Sequence, residues 1–254
     1  MTVSWAPAPG AAPAGARVRA QARLELALLA RNGEQLVLTL VIPTGLLVLF
    51  ATVHVVALPA GPRVAFLAPG VLALAVISTA FTSLAIGTGF DRRAGALRRA
   101  QTTPLTRGDL LAAKVAAVAA VEAGQVVLIS LVAVALGWRP PVAGMPAALL
   151  LLVLGSATFT ALGLLLAGTL RAEATLAVAN LVFVVLLLGS GIVLPLTSFP
   201  APLAHVARAL PSTALADGLR VALTGHGLHV AALGVLVVWG VAAAVATMRT
   251  FRWS

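Results

Sequence analysis

The sequence has 254 residues, of which 61% are hydrophobic and only 9% are charged, and its mean hydropathy is +1.08. Soluble domains carry about 25% charged residues, so this composition excludes an ordinary soluble protein and predicts one embedded in lipid. Six crossings of roughly 20 apolar residues each would use about half of the chain. The remainder suffices for short loops and leaves no room for a separate soluble enzyme domain. We attribute the net charge of +10 to cytoplasmic loops rather than to nucleic-acid binding. The absence of cysteine excludes disulfides and thiolate metal ligands.

The N-terminal segment precedes the first apolar stretch. Residues 1–16 are rich in Ala and Pro and carry no charge, which predicts a disordered cytoplasmic tail and not a secretory signal. From Arg17 to Arg31 basic and apolar residues alternate, so that arginines share one helical stripe while Leu24 and Leu28 share another. This pattern predicts an interfacial helix on the membrane surface, with a plain cytoplasmic helix as the alternative.

Six apolar segments are long enough to cross a bilayer. They cover about residues 35–57, 64–90, 110–136, 146–170, 175–194 and 228–248. Prolines interrupt the moderately apolar stretch before the last segment, which predicts short re-entrant helices there instead of one clean span. The predicted fold is therefore an all-α integral membrane protein, with one six-span domain over residues 17–254.

The basic residues are distributed unevenly along this topology. With six spans, thirteen Lys and Arg residues fall on the side of the two termini and four fall on the other side. Basic residues accumulate in cytoplasmic loops. We therefore expect both termini in the cytoplasm and the protein in the inner (plasma) membrane, because an odd number of spans would spoil the pattern.

No motif for catalysis or metal binding is present. The sequence lacks the GxxxxGK[ST] phosphate loop, the HExxH zinc motif and the GxSxG nucleophile elbow. His226 and His229 are three residues apart, but solvated loop histidines are the favoured interpretation. We predict that this chain is not an enzyme, and we assign no catalytic residue and no metal ligand.

Glu122 is the one acidic residue near the centre of a predicted span, and Gln125 lies on the same helix face. A charge at that depth costs about 2.5–3.5 kcal/mol on insertion scales, so Glu122 is expected to face protein or a wet cavity. Two interpretations remain open. The pair lines a transport pathway, or it forms a hydrogen bond between helices.

Small residues recur at every fourth position along the same span. Helix backbones approach each other closely where residues at this spacing are small. The pattern predicts a packing surface within the subunit or across a dimer interface, formed by Ala112, Ala116, Ala120 and Gly124.

The polar segment between the second and third spans carries a recognisable pattern: an acidic-Arg pair, a Gly, a Leu and a Thr-Pro-Leu. These are Asp91, Arg92, Gly95, Leu97, Thr103, Pro104 and Leu105. The pattern resembles that of type-2 ABC exporter permeases, the membrane subunits of ATP-binding-cassette systems for drug resistance and polyketide export. In that family the segment is a coupling helix that docks on a separate ATPase. Here Asp91 stands where Glu is usual.

The broken stretch before the last span resembles the same family. It has a Ser-Gly pair and two prolines at the expected places, followed by Leu-Pro at 210–211 and Leu-Arg at 219–220; the first four are Ser190, Gly191, Pro195 and Pro200. In the family this region forms re-entrant helices near the outer leaflet, so we expect these four residues at a gate. The sequence has no aromatic residue just before Pro195, where the family usually has them.

The resemblance implies a permease subunit of an ATP-binding-cassette exporter, which forms the substrate pathway. Its expected partners are separate ATPase subunits that bind ATP-Mg, a second permease (a copy of itself or a sister chain) and membrane lipids, with no nucleic acid. No cofactor is expected in this chain. The alternative function is a secondary, ion-coupled transporter, for which Glu122 is the only support. A membrane enzyme or assembly factor is the third interpretation. The transported substrate is not evident from the sequence.

Overall fold

The computed structural model describes residues 10–31, 33–53, 58, 61–96, 102–192 and 195–250. Within these ranges the chain forms nine helices and no strand, which confirms the predicted all-α fold. The helices are α1 Ala14–Arg31, α2 Gly33–Thr52, α3 Arg63–Arg93, α4 Arg107–Ala135, α5 Met145–Thr169, α6 Ala172–Gly189, α7 Ala201–Arg208, α8 Pro211–Leu223 and α9 Val230–Thr250.

In the described part of the chain, five helices are long and apolar enough to cross a membrane: α3, α4, α5, α6 and α9. They lie within a few residues of five of the predicted spans. The predicted first span corresponds to α2, whose apolar stretch Thr39–Thr52 is shorter than a full crossing. Residues 54–57 of that prediction lie outside the described ranges, so the sixth crossing stays a prediction.

Helix α3 lies at the centre of the bundle. Its most apolar window is 83% buried, against 22–39% for the other four spans. It packs against α2, α4, α5, α6 and α8, and its core consists of small and branched residues such as Ala68, Val71 and Ile77. The outer faces of the other spans carry exposed apolar side chains, including Leu131, Leu181 and Val238, which suits contact with lipid.

A π-helical turn interrupts α3 at Ile77–Ser83. Such turns insert one extra residue into a helix and often occur at functional sites. The turn contains neither Gly nor Pro, so the local sequence does not mark it. It contacts α4, α5 and α6, and the packing of these neighbours surrounds the irregular backbone.

The stretch before the last span folds into a 3₁₀ turn, Leu196–Ser198, and two short helices, α7 and α8. This confirms the predicted short helices. Pro211 opens α8, at a position where the missing N–H of proline costs no helical hydrogen bond. Helix α8 is largely buried between α3, α5 and α9, so it fixes this end of the bundle, which we call the α8 end.

Helix α1 packs along α4 at the opposite end of the bundle, which we call the α1 end. It begins at Ala14, so the last three residues of the predicted tail are helical. Leu24 and Leu28 are about half exposed, at 52% and 55%. An apolar face turned away from the bundle is consistent with the predicted interfacial helix, whose position on a membrane stays a prediction.

Candidate functional site

A buried lysine joins three helices at the α1 end. Lys114 is the only lysine of the chain, and its side chain is 8% exposed. Its Nζ lies 2.6 Å from Asp91 Oδ2 at the end of α3 and 3.1 Å from Glu25 Oε2 on α1. An ammonium buried at this depth needs such partners. The ion pairs therefore fix α1, α3 and α4 relative to one another.

A second ion pair holds α1 at the start of α4. Thr106 caps α4, because its hydroxyl accepts from Asp109 N while the Asp109 carboxylate accepts from Thr106 N. This is a capping box. Arg17 Nε donates to the same carboxylate at 2.9 Å. The first turn of α4 and the first turn of α1 are thus joined directly after the predicted coupling segment.

Two arginines at the end of α3 contact the start of α6 and the turn that precedes it. Arg92 donates to the carbonyl oxygen of Leu170, and Arg93 pairs with Glu173. Arg93 and Glu173 are both largely exposed, so their pair contributes little to stability. Together with Lys114, these contacts surround the point where the chain leaves the bundle.

The predicted coupling segment begins inside α3, because the helix continues through Arg93. Gly95 follows with a φ of 69°, a left-handed conformation that commonly ends a helix at glycine. Leu97 lies outside the described residues. Thr103 and Pro104 are exposed, and Leu105 is partly buried. The described part of the segment thus stands at the surface of the α1 end.

Gln125 forms a closed set of hydrogen bonds inside the subunit. It is 1% exposed, accepts from Thr79 Oγ1 at 2.8 Å and donates to the carbonyl oxygen of Thr39 at 2.8 Å. Thr79 belongs to the π turn of α3, and Thr39 belongs to α2. Gln125 therefore links α4 to two other helices, which agrees with the interpretation that it forms hydrogen bonds between helices.

Glu122 is 7% exposed and lies one turn away from Gln125. Its Oε1 has no hydrogen-bond partner in the described part of the chain, while Ser156 of α5 is the polar neighbour of the carboxyl group. The acid lies inside the protein, as its insertion cost led us to expect. Its role in transport stays a prediction.

An arginine organises the α8 end. Arg220 Nη2 donates to the carbonyl oxygens of Gly191 and Ile192 at 2.7 and 2.9 Å. Its guanidinium lies 3.9 Å above the ring of Phe66 and pairs with Asp217 at 2.8 Å. One side chain thus holds α8, α3 and the loop after α6 together.

The four predicted gate residues lie in or near this loop. Ser190 is fully buried, and its hydroxyl contacts that of Ser212 on α8. Gly191 has a φ of 67°, in the left-handed region that glycine adopts at little cost. Pro195 is buried and precedes the 3₁₀ turn, while Pro200 is exposed and precedes α7. Ser190, Gly191 and Pro195 are therefore buried, whereas Pro200 is at the surface, and their role as a gate stays a prediction.

A family model described as ABC-2 type transporter matches residues 17–224. The match covers both ends of the bundle and most of the chain. The chain belongs to the ABC-2 type transporter family. No curated protein matches it significantly.

This ABC-2 protein is a multi-pass membrane protein and an ABC transporter permease subunit, of a family that associates with ABC ATPases. The family match ends at Thr224, before α9 begins. Both segments that carried the sequence resemblance lie inside the matched range. The family prediction is confirmed, whereas the roles of the individual site residues stay predictions.

Sequence reasoning missed the two side chains that organise the ABC-2 permease. Lys114 was counted only among the basic residues on the side of the termini. Arg220 was counted on the other side and as part of the Leu-Arg pair at 219–220. A signal was present for Lys114, because a lone lysine inside an apolar span requires a partner. For Arg220 no local signal identifies the carbonyl groups that it binds, since they lie about 28 residues away.

Proposed function

We propose that this permease is the translocating subunit of an ATP-driven exporter in the plasma membrane, with both termini in the cytoplasm. The observation that carries the proposal is the network at the α1 end, where Asp91, at the start of the coupling segment, is paired with Lys114. Family membership and the excess of basic residues on the side of the termini support the orientation.

The network suits a role in transmitting motion. The coupling segment, from Asp91 to Leu105, begins at the α1 end and would dock on a separate ATPase that binds ATP-Mg. A displacement of this segment would act on α1 and α4 through Asp91 and Lys114, and on the turn between α5 and α6 through Arg92. ATP binding would thereby move several spans together.

An exposed face of α4 supports pairing with a second permease. Within this subunit the small-residue stripe of α4 is exposed along its whole length, and it comprises Ala112, Ala116, Ala120 and Gly124. A Cβ built on Gly124 would meet no atom within 4 Å. The stripe is therefore not used for packing inside the subunit. Close approach of another permease, as a homodimer or a heterodimer, is its proposed use.

The alternative, ion-coupled transport, rests on Glu122 as a group that exchanges protons or cations. Ser156 is a polar neighbour of its carboxyl group, and no second buried acid faces it among the described residues. An ion relay across a membrane usually requires a chain of such groups. This arrangement favours the ATP-driven mechanism.

The test is purification of the permease from its native membrane in mild detergent, followed by identification of its partner and reconstitution in vesicles. We expect an ABC ATPase to be retained, and substrate transport to require hydrolysable ATP. A Mg-free sample is the matched control. Transport that follows an imposed ion gradient without ATP would overturn the proposal.

A further inference from the structure

A cavity of about 220 Å³ lies between α1, α2, α3 and α4. Along α4 it extends from Lys114 to Val121, a rise of about 10 Å at 1.5 Å per residue. Leu28 and Gly87 also line it and are both exposed, which indicates an opening beside them. The cavity belongs to one subunit and is separate from the exposed α4 stripe.

The chemistry of the cavity changes along its length. The body has apolar walls, which include Leu29, Leu84 and Val118. The end near Lys114 carries the carboxylates of Glu25 and Asp91. Two carboxylates and one ammonium leave a formal charge of −1 at this end. A ligand that complements both parts has an apolar body and a single positive charge.

A buried hydroxyl in the same wall lacks a partner. Thr88 is 2% exposed and lies one turn before Asp91 on α3. Its Oγ1 has no hydrogen-bond partner in the described ranges, although a helical threonine usually bonds the carbonyl group one turn earlier. An unsatisfied buried hydroxyl costs free energy. A donor group on a bound ligand would satisfy it.

We propose that this cavity binds a monovalent amphiphilic amine. The ammonium group lies between Glu25, Asp91 and Thr88, which accept its N–H groups, and the alkyl body lies along Leu84 and Val118. Lys114 repels a second positive charge and limits the site to monovalent cations. A neutral amphiphile of the same length lacks the charge that the two carboxylates recognise.

Gly87 offers a way to block the site without disturbing the fold. A Cβ there would meet no atom within 4 Å, although Gly87 lines the cavity. A leucine at this position can therefore occupy part of the cavity without displacing a neighbouring atom. Gly234 on α9 is the matched control, because it is also helical, exposed and free of neighbours within 4 Å.

The experiment measures binding of radiolabelled octylamine to the full-length permease in nanodiscs, by equilibrium dialysis against empty nanodiscs. We expect saturable binding that octylamine displaces and that equal concentrations of 1-octanol or octanoate do not. Glu25→Gln and Gly87→Leu should each weaken it at least tenfold, while Gly234→Leu leaves it unchanged. Monodisperse elution confirms that each variant is folded.

The inference would be overturned by equal displacement by 1-octanol, by wild-type binding to Gly87→Leu, or by wild-type binding to Glu25→Gln. If Gly87→Leu fails to fold, the Glu25→Gln result and the competition with 1-octanol decide whether the cavity binds the amine. A zwitterionic lipid that copurifies and displaces octylamine would also count against an amine ligand. The assay uses neither ATP nor an ATPase, so its failure leaves the proposed export function untouched.

Discussion

The carbonyl oxygen of Ile192 accepts a hydrogen bond from Arg220 Nη2 at 2.9 Å, and Gly70 of α3 lies directly beneath this contact. A Cβ at Gly70 would be 2.5 Å from the Ile192 oxygen and 2.9 Å from Arg220 Nη2. Both distances are too short for a carbon atom. The loop after α6 therefore packs against α3 and α8 so closely at Gly70 that no additional atom fits there.

Replacing Arg220 with lysine should loosen this loop although the charge is kept. Lysine lacks the planar fork that binds two carbonyl groups and stacks on an aromatic ring. We expect Arg220→Lys to lower the free energy of unfolding by about 1–3 kcal/mol. The check is reversible denaturation in detergent, together with hydrogen exchange at residues 190–192. Unchanged exchange there would show that the loop does not depend on the guanidinium.

Gly70→Ala should be destabilising in spite of the higher helix propensity of alanine. The added methyl group displaces the Ile192 carbonyl and breaks its bond to Arg220, at a cost of about 1–3 kcal/mol for an overpacked site. Gly45→Ala is the control, since Gly45 is helical with no atom within 4 Å of its Cβ. There the substitution should be neutral or stabilise by up to about 1 kcal/mol. Equal melting temperatures for the two variants would contradict the predicted close contact.

Lys114 and Asp91 should be energetically coupled. Lys114→Gln removes a buried ammonium from two carboxylates, and we expect a loss of about 1.5–3 kcal/mol. In a double-mutant cycle with Asp91→Asn, the interaction energy should exceed about 0.5 kcal/mol. It will be moderate because the Asp91 side chain is 41% exposed. Arg31→Gln, which removes an exposed charge at the end of α1, is the control and should be nearly silent.

Glu122→Gln tests whether the buried acid serves transport or packing. The substitution keeps the shape and removes the charge. We expect slower export with normal assembly of the transporter, because the burial of Glu122 predicts a role other than contact with lipid. Transport in vesicles and subunit stoichiometry are the two measurements. Wild-type values for both would reduce Glu122 to a tolerated polar residue.

Leu97→Asp tests the coupling segment. Leu97 lies outside the described residues, so this prediction rests on the sequence pattern alone. Apolar anchors dominate most protein interfaces, so the variant should weaken ATPase binding by about 2 kcal/mol or more. Arg98→Lys conserves the positive charge and should be nearly silent. The measurement is co-purification of the ATPase at equal membrane insertion. Full retention by Leu97→Asp would mean that the segment only sets topology.

Hydropathy predicted most of the fold, since the length of an apolar run reflects the thickness of the bilayer. The predicted third span, residues 110–136, and α4, Arg107–Ala135, differ by three residues at the start and one at the end. The π turn at Ile77–Ser83 was not predictable. It depends on packing against several helices, and its residues are ordinary in composition.

The candidate site was less accessible to prediction, because its contacts join distant parts of the chain. Glu122 and Gln125 were correctly assigned to one helix face, yet the bonds of Gln125 to Thr39 and Thr79 span 86 and 46 residues. Periodicity identifies the face that a residue occupies. It does not identify the residue on another helix that this face contacts. The contacts by which Lys114 and Arg220 join several helices are therefore evident only in the three-dimensional structure.

The enclosure of α3 has a consequence for biogenesis. Four of the five helices that cover it, α4, α5, α6 and α8, follow it in the chain. A chain made from its N-terminus delivers α3 to the membrane ahead of these four helices. Its surface is therefore first solvated by lipid, and acyl chains leave as each later helix arrives. Its small and branched side chains must accordingly suit two successive environments, fluid hydrocarbon during synthesis and close packing in the mature subunit.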